Sequence, residues 1–186
     1  MGKVMSMKRR WITFGALLIV IAVGGWGVTR WKRVLPYQWY QTQPDTQFSI
    51  SFPSTPTAST ETLTTSDGIQ FISNNLTSSP AHGVLYAVNW WENSDQNNKS
   101  TDELFASFRD CGMKAFHGKV VSEKKLFVGG YPAQDSAVVA DGGLVAVNRV
   151  IRVKSRLYSL WIVDSVAHLE RTDINRFLDS FAVRSM

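Results

Sequence analysis

Cysteine occurs once in this 186-residue chain, at Cys111, and histidine three times. One thiol excludes an intrachain disulfide framework and any cysteine-clustered metal site. His82, His117 and His168 lie far apart and form no HExxH or H-x3-H spacing. No G-x-S-x-G, P-loop or G-x-G-x-x-G is present, and no internal repeat. Acidic residues are missing altogether from positions 1–44, where seven Lys/Arg stand alone: Lys3, Lys8, Arg9, Arg10, Arg30, Lys32 and Arg33. The remaining 142 residues hold thirteen Lys/Arg against fifteen Asp/Glu. The formal charge of +5 therefore belongs to the N-terminal segment, and the rest of the chain is mildly acidic. A nucleic-acid-binding domain needs a basic face, so nucleic acid is not an expected partner. With hydrophobic residues at 44% and charged residues at 19%, a disordered tail is excluded as well.

Trp11 to Val28, WITFGALLIVIAVGGWGV, carries no charge over eighteen residues. As a helix rising 1.5 Å per residue it would be about 27 Å long, close to the roughly 30 Å of a hydrocarbon core. Arg9 and Arg10 precede it, and Arg30, Lys32 and Arg33 follow. Trp11 at one end and Trp26 and Trp31 at the other suit the headgroup levels. A cleaved signal peptide needs a small-residue site, and the run ends instead in Gly24-Gly25-Trp26-Gly27. A buried helix of a soluble domain would not carry aromatic and basic girdles at both ends. An uncleaved single-span anchor is the expectation, with the bilayer as partner. Its short tail would be cytoplasmic and its larger domain periplasmic, in a bacterial inner membrane. The expected organisation is a basic tail over 1–10, a transmembrane helix over 11–29, a juxtamembrane linker over 30–46 and a globular domain over 47–184. Gly24 and Gly25 would let another membrane helix approach closely. Simple tolerance of glycine in such a helix explains them equally well.

The globular part reads as α+β. Phe48–Phe52 alternates apolar and polar, a period-2 strand stopped by Pro53. The Ser/Thr/Pro-rich stretch after it reads as an extended loop, and Ile69–Leu76 and Val84–Trp91 as strands. Ser100 with Glu103 three residues later makes a capping box, followed by Leu104, Phe105, Phe108 and Cys111 at helical spacing. Cys111 is expected on the core face. Ser136–Ala140, Leu144–Val153 and Leu157–Val163 read as antiparallel strands separated by turns at Asp141-Gly142-Gly143 and Lys154-Ser155-Arg156. Ile174, Phe177, Leu178 and Phe181 mark one stripe of a short final helix. Neighbours on a strand point to opposite faces. One of Trp90 and Trp91 is therefore a candidate partner contact, unless both faces of the sheet are covered. Asn75-Leu-Thr77 and Asn98-Lys-Ser100 match the N-glycosylation acceptor pattern.

Phe48-Ser-Ile-Ser-Phe-Pro, Gly130-Tyr131-Pro132, Arg156-Leu157-Tyr158-Ser159-Leu160 and Arg176-Phe177-Leu178-Asp179-Ser180-Phe181 occur in that order. In order and spacing the chain resembles the PsbP-like group of small extracytoplasmic domains. The resemblance implies an α/β/α sandwich around a central antiparallel sheet. It also implies a non-catalytic role on a membrane complex, as in the extrinsic subunits of photosystem II. The matched motifs are structural, so no catalytic, cofactor-binding or metal-binding residue carries over, and none is expected. The expectation is an accessory subunit that binds or stabilises a larger membrane assembly, photosynthetic or bioenergetic, alongside other membrane protein subunits. The competing expectation is a tethered ligand-binding or sensor domain. The first calls for an apolar surface patch, the second for a concave apolar pocket with a few polar groups.

Overall fold

The computed structural model describes residues 38–64, 70–80, 84–92, 99–165 and 171–184. They form ten strands and two helices. These are β1 (Tyr40–Thr42), β2 (Phe48–Phe52), β3 (Thr57–Thr64), β4 (Gln70–Ser78) and β5 (Leu85–Glu92), then α1 (Thr101–Phe116). After the helix come β6 (Gly118–Val128), β7 (Tyr131–Ala140), β8 (Leu144–Val153), β9 (Arg156–Ser165), α2 (Arg171–Asp179) and β10 (Ala182–Val183). Seven strands build one antiparallel sheet in the order β3-β4-β5-β9-β8-β7-β6. A smaller sheet has the order β1-β2-β10.

Turn chemistry sets the hairpins. Gly129 and Gly130 take positive φ between β6 and β7, Gly142 and Gly143 do so between β7 and β8, and Lys154 does so before β9. Glycine adopts such angles without a Cβ clash, which permits a two-residue connection between β6 and β7 and a three-residue one between β7 and β8.

Strand alternation then divides the apolar side chains between the two faces of the large sheet. On one face Leu76, Tyr86, Val88, Trp90, Tyr158 and Leu160 meet Phe48, Ile50 and Phe52 of β2 and Phe177 and Leu178 of α2. Phe48 is fully buried and packs edge-on against Trp90 and Tyr158 at 5.1 and 5.0 Å between centroids. Such pairs add about 0.5–1.5 kcal/mol beyond their buried area. On the opposite face α1 lays Leu104, Phe105 and Phe108 on Val150, Leu157 and Trp91. One turn and more further on, Met113 and Phe116 meet Val138, Ala146 and Trp161.

The α+β class is what the structure has, but two expectations fail. The domain is not a closed α/β/α sandwich. Only α1 covers its face as a helix alone, whereas the other face is covered by β2 of the small sheet together with the nine-residue α2. The physical reason is length: α2 is too short to roof seven strands, and period-2 Phe48, Ile50 and Phe52 supply the missing apolar surface.

The second failure concerns the membrane. Among the described residues no helix is long and apolar enough to cross one. A span needs about 20 apolar residues. The longer helix, α1, has 16 and carries Asp102, Glu103, Arg109, Asp110 and Lys114. None of the described residues supplies the span on which the single-span anchor, the bilayer and membrane subunits as partners, the inner-membrane location and the accessory-subunit role depend, and the described structure does not bear these expectations out. Residues 11–29, on which they rested, lie outside the described residues, as do the rest of 1–37.

Both edges of the large sheet also depart from the sequence pattern. Thr57–Thr64, expected as loop, is an eight-residue strand at one edge. Gly118–Val128, which carried no expectation, is the eleven-residue strand at the other.

Candidate functional site

The start of α1 positions the site. Ser100 is the N-cap: its hydroxyl accepts from the Glu103 backbone N–H, and the Glu103 carboxylate accepts from the Ser100 N–H at 2.8 Å. The Ser100 bonds are the main cause that holds the Glu103 carboxyl below its ordinary value of 4.5. Arg152 of β8 donates to the Lys99 carbonyl and to Thr101 Oγ1 at 3.2 and 3.3 Å, tying the helix start to the sheet. With its N-terminus held there, α1 runs beside β6 and β7 and leaves a cleft between them.

That cleft has a volume of about 310 Å³ and is lined by Asp102, Ala106 and Arg109 of α1, Glu123, Lys124 and Lys125 of β6, and Gln134 of β7. Its charges are paired across the groove. Lys125 Nζ lies 2.7 Å from Asp102 Oδ1, and Arg109 Nη1 lies 3.3 Å from Glu123 Oε1. Arg109 also grips its neighbour Asp110 at 2.8 Å, and that bond is the chief reason its guanidinium is raised above the usual arginine value. Gln134, 6% exposed, forms part of the floor and donates to Glu123 Oε1. Two residues beyond Lys125 on the same face of β6 stands Phe127, with 75% of its surface exposed. Val121, at the bulge between Val120 and Ser122, is exposed to 61%. The surface thus combines an aromatic ring, charges of both signs and a strand edge. It offers no enclosed apolar pocket of the kind a small-molecule sensor would need.

The residues expected to matter fall elsewhere. Trp90 is 9% exposed and belongs to the core beneath β2. Trp91 points to the other face, half-buried between Phe71 and Phe108 at 6.0 and 5.4 Å. Both faces are covered, so neither ring stands out from the surface. Gly24, Gly25, Trp11, Trp26, Trp31, Arg9, Arg10, Arg30, Lys32 and Arg33 lie outside the described residues, as do His82 and His168. His117 closes α1 in the left-handed conformation, φ 49°, its N–H donating to the Lys114 carbonyl. Burial pushes the Cys111 thiol up, which keeps it protonated and unreactive. The first glycosylation pattern is closed to modification, because Asn75 lies within β4 at 2% exposure, bonded to Asn89. Among the described residues no group of three or more His, Cys, Asp or Glu is placed to hold a metal ion.

Sequence reasoning passed over Arg109, Glu123, Lys125, Phe127 and Gln134. A signal was there: Glu123, Lys125 and Phe127 recur at period 2, which on a strand puts them on one face. The high charge of that stretch hid the strand.

No family model and no curated protein matches this chain, so the resemblance to PsbP-like domains does not hold. Among solved structures the chain is similar to the crystal structure of a protein of unknown function from Pseudomonas aeruginosa. That match has 12% identity over 80% of this chain and 98% of that one, with a TM-score of 0.49.

Proposed function

We propose that this is a non-catalytic binding domain that holds a polypeptide partner at the groove between α1 and β6. The observation that carries the reading is the pairing of the exposed Phe127 ring with the Lys125–Asp102 and Arg109–Glu123 bridges beside it. An exposed aromatic ring on the same strand face as Lys125 and Glu123, with Arg109 across the groove, has the aromatic and arginine content enriched at protein interfaces. The bridges are exposed, and exposed pairs are worth only about 0–1 kcal/mol. Side chains of a partner can exchange into them at little cost. A partner segment with one apolar side chain and charges of both signs matches this surface.

The test places a photo-reactive phenylalanine analogue at position 127 of the full chain in its native cells. Illumination is expected to yield one discrete protein adduct, and the double reversal Arg109→Glu/Lys125→Glu is expected to abolish it. A diffuse smear of adducts, or one adduct that survives charge reversal, would sink the proposal.

A further inference from the structure

Among the described residues the large sheet has two open edges, and they are built differently. β6 is guarded: a bulge interrupts it between Val120 and Ser122, and Lys119, Glu123, Lys124 and Lys125 project from it. Bulges and charges, lysine above all, are the usual protection of an edge against pairing with another chain. β3 has neither. Its register against β4 runs unbroken from Thr57↔Thr77 to Thr64↔Gln70, and its one charged residue is Glu61. Thr57, Ala58, Ser59, Thr60 and Thr62 are exposed. Eight residues at about 3.4 Å each give a backbone edge of roughly 27 Å.

We infer that two copies of this chain pair antiparallel through β3 about a two-fold axis, joining their sheets. The occupant follows from symmetry and charge. Pairing β3 with the β6 of another copy would be head-to-tail and open-ended, and it meets the bulge and the lysines. Pairing β3 with itself closes the assembly. In an antiparallel pair, directly opposed residues share a face, so a two-fold axis admits only registers that differ by two residues. The register with Glu61 opposite its own copy sets like charges against each other, which is unfavourable. Moving by one step puts Thr60 on the axis, Ala58 opposite Thr62 of the second copy and Ser59 opposite Glu61. The Ser59 hydroxyl then donates to the Glu61 carboxylate twice, once in each direction. This register keeps seven of the eight strand residues opposed. The interface is rich in backbone hydrogen bonds and poor in apolar area. It falls below the roughly 1,600 Å² of a standard interface, so the dimer exchanges rapidly and has to be trapped.

The experiment uses the full chain with Cys111→Ser, which removes the one native thiol. Thr60→Cys is added, and the chain is oxidised gently and run on a non-reducing gel. Expected is a species of twice the chain mass, formed about tenfold or more faster than with Lys124→Cys on β6, as the raised local concentration of two thiols on the axis demands. Ser59→Cys and Glu61→Cys chains are expected to cross-link when mixed and far less when alone, a second readout independent of Thr60. Equal rates at positions 60 and 124, indifference to mixing, or a cross-link to a different polypeptide would each overturn the pairing. None of these outcomes depends on Phe127 or the α1–β6 groove.

Discussion

Arg149 is 6% exposed, in the middle of β8, on the face that α2 covers. Its guanidinium meets Asp135 on β7 through Nε and Nη2 at 2.6 and 2.9 Å, and Nη1 donates to the Leu178 carbonyl and Asp179 at 3.0 Å each. One side chain thus ties two strands to the last turn of α2, where a cation also complements the helix dipole. Burial alone would lower its pKa. The bonds to Asp135, then to Asp179, outweigh that and raise it. Removing one member of a buried pair typically costs about 3–5 kcal/mol, because a charge is left without compensation. Asp135 and Asp179 keep 25% and 67% of their side-chain surface, so Arg149→Met is expected to cost about 3 kcal/mol, the low end of that range. The double variant Arg149→Met/Asp135→Leu is expected to regain part of the loss. Urea unfolding of the two variants measures both, and a double variant no more stable than the single one would refute the account. In the sequence Arg149 stands out only as a cation among alternating apolar residues. Its partners lie fourteen and thirty positions away, beyond the reach of any local pattern.

α1 shows what an element owes to its own residues. The capping box, the apolar positions Leu104, Phe105 and Phe108 and the final left-handed residue are all local to the helix, and Arg152 of β8 adds a tie from the sheet at its start. Ser100→Ala is expected to cost about 1 kcal/mol. The Glu103 half of the box has a pH signature. Its carboxyl titrates lower in the folded chain than its ordinary 4.5. The stabilisation it gives is therefore present above that value and lost as pH falls through the lower folded one. The stability gap between the native chain and Glu103→Gln, followed by urea unfolding from about pH 7 down to about pH 3, is expected to close on the acid side. A gap constant across that range would show that the carboxylate contributes nothing.

The edge strands were the unreadable elements, for opposite reasons. β3 is Ser/Thr-rich and looks like loop, yet threonine is β-branched and suits a strand whose outer side is exposed. β6 is so charged that its alternation is hidden. Edge strands bury little, so the apolar signal that marks a strand in a sequence is weakest there.

At the scale of the whole molecule, contacts are distant in the chain. The adjacent strands β5 and β9 pair Leu85 with Val163 and Glu92 with Arg156, with α1 and three strands between them in sequence. Loop closure over such separations has to precede the reward of pairing, so the domain is expected to refold in milliseconds to seconds. Stopped-flow fluorescence can follow it through Trp90, whose ring packs on Phe48 only once β2 has docked. Completion well under a millisecond would contradict this reading of the topology.

By itself the sequence determined the α+β class, the start of α1, the glycine turns, the limits of β2 and β8, and the stripe of α2. Each of these rests on residues within one or two turns of one another, where backbone sterics and hydrogen bonds act directly. The tertiary structure alone decided the strand order, the sharing of one face between β2 and α2, the burial of Trp90 and the half-burial of Trp91. It alone brought Asp102 to Lys125 and Arg109 to Glu123. Those outcomes depend on which apolar faces cover each other most completely, a competition settled by the whole chain at once.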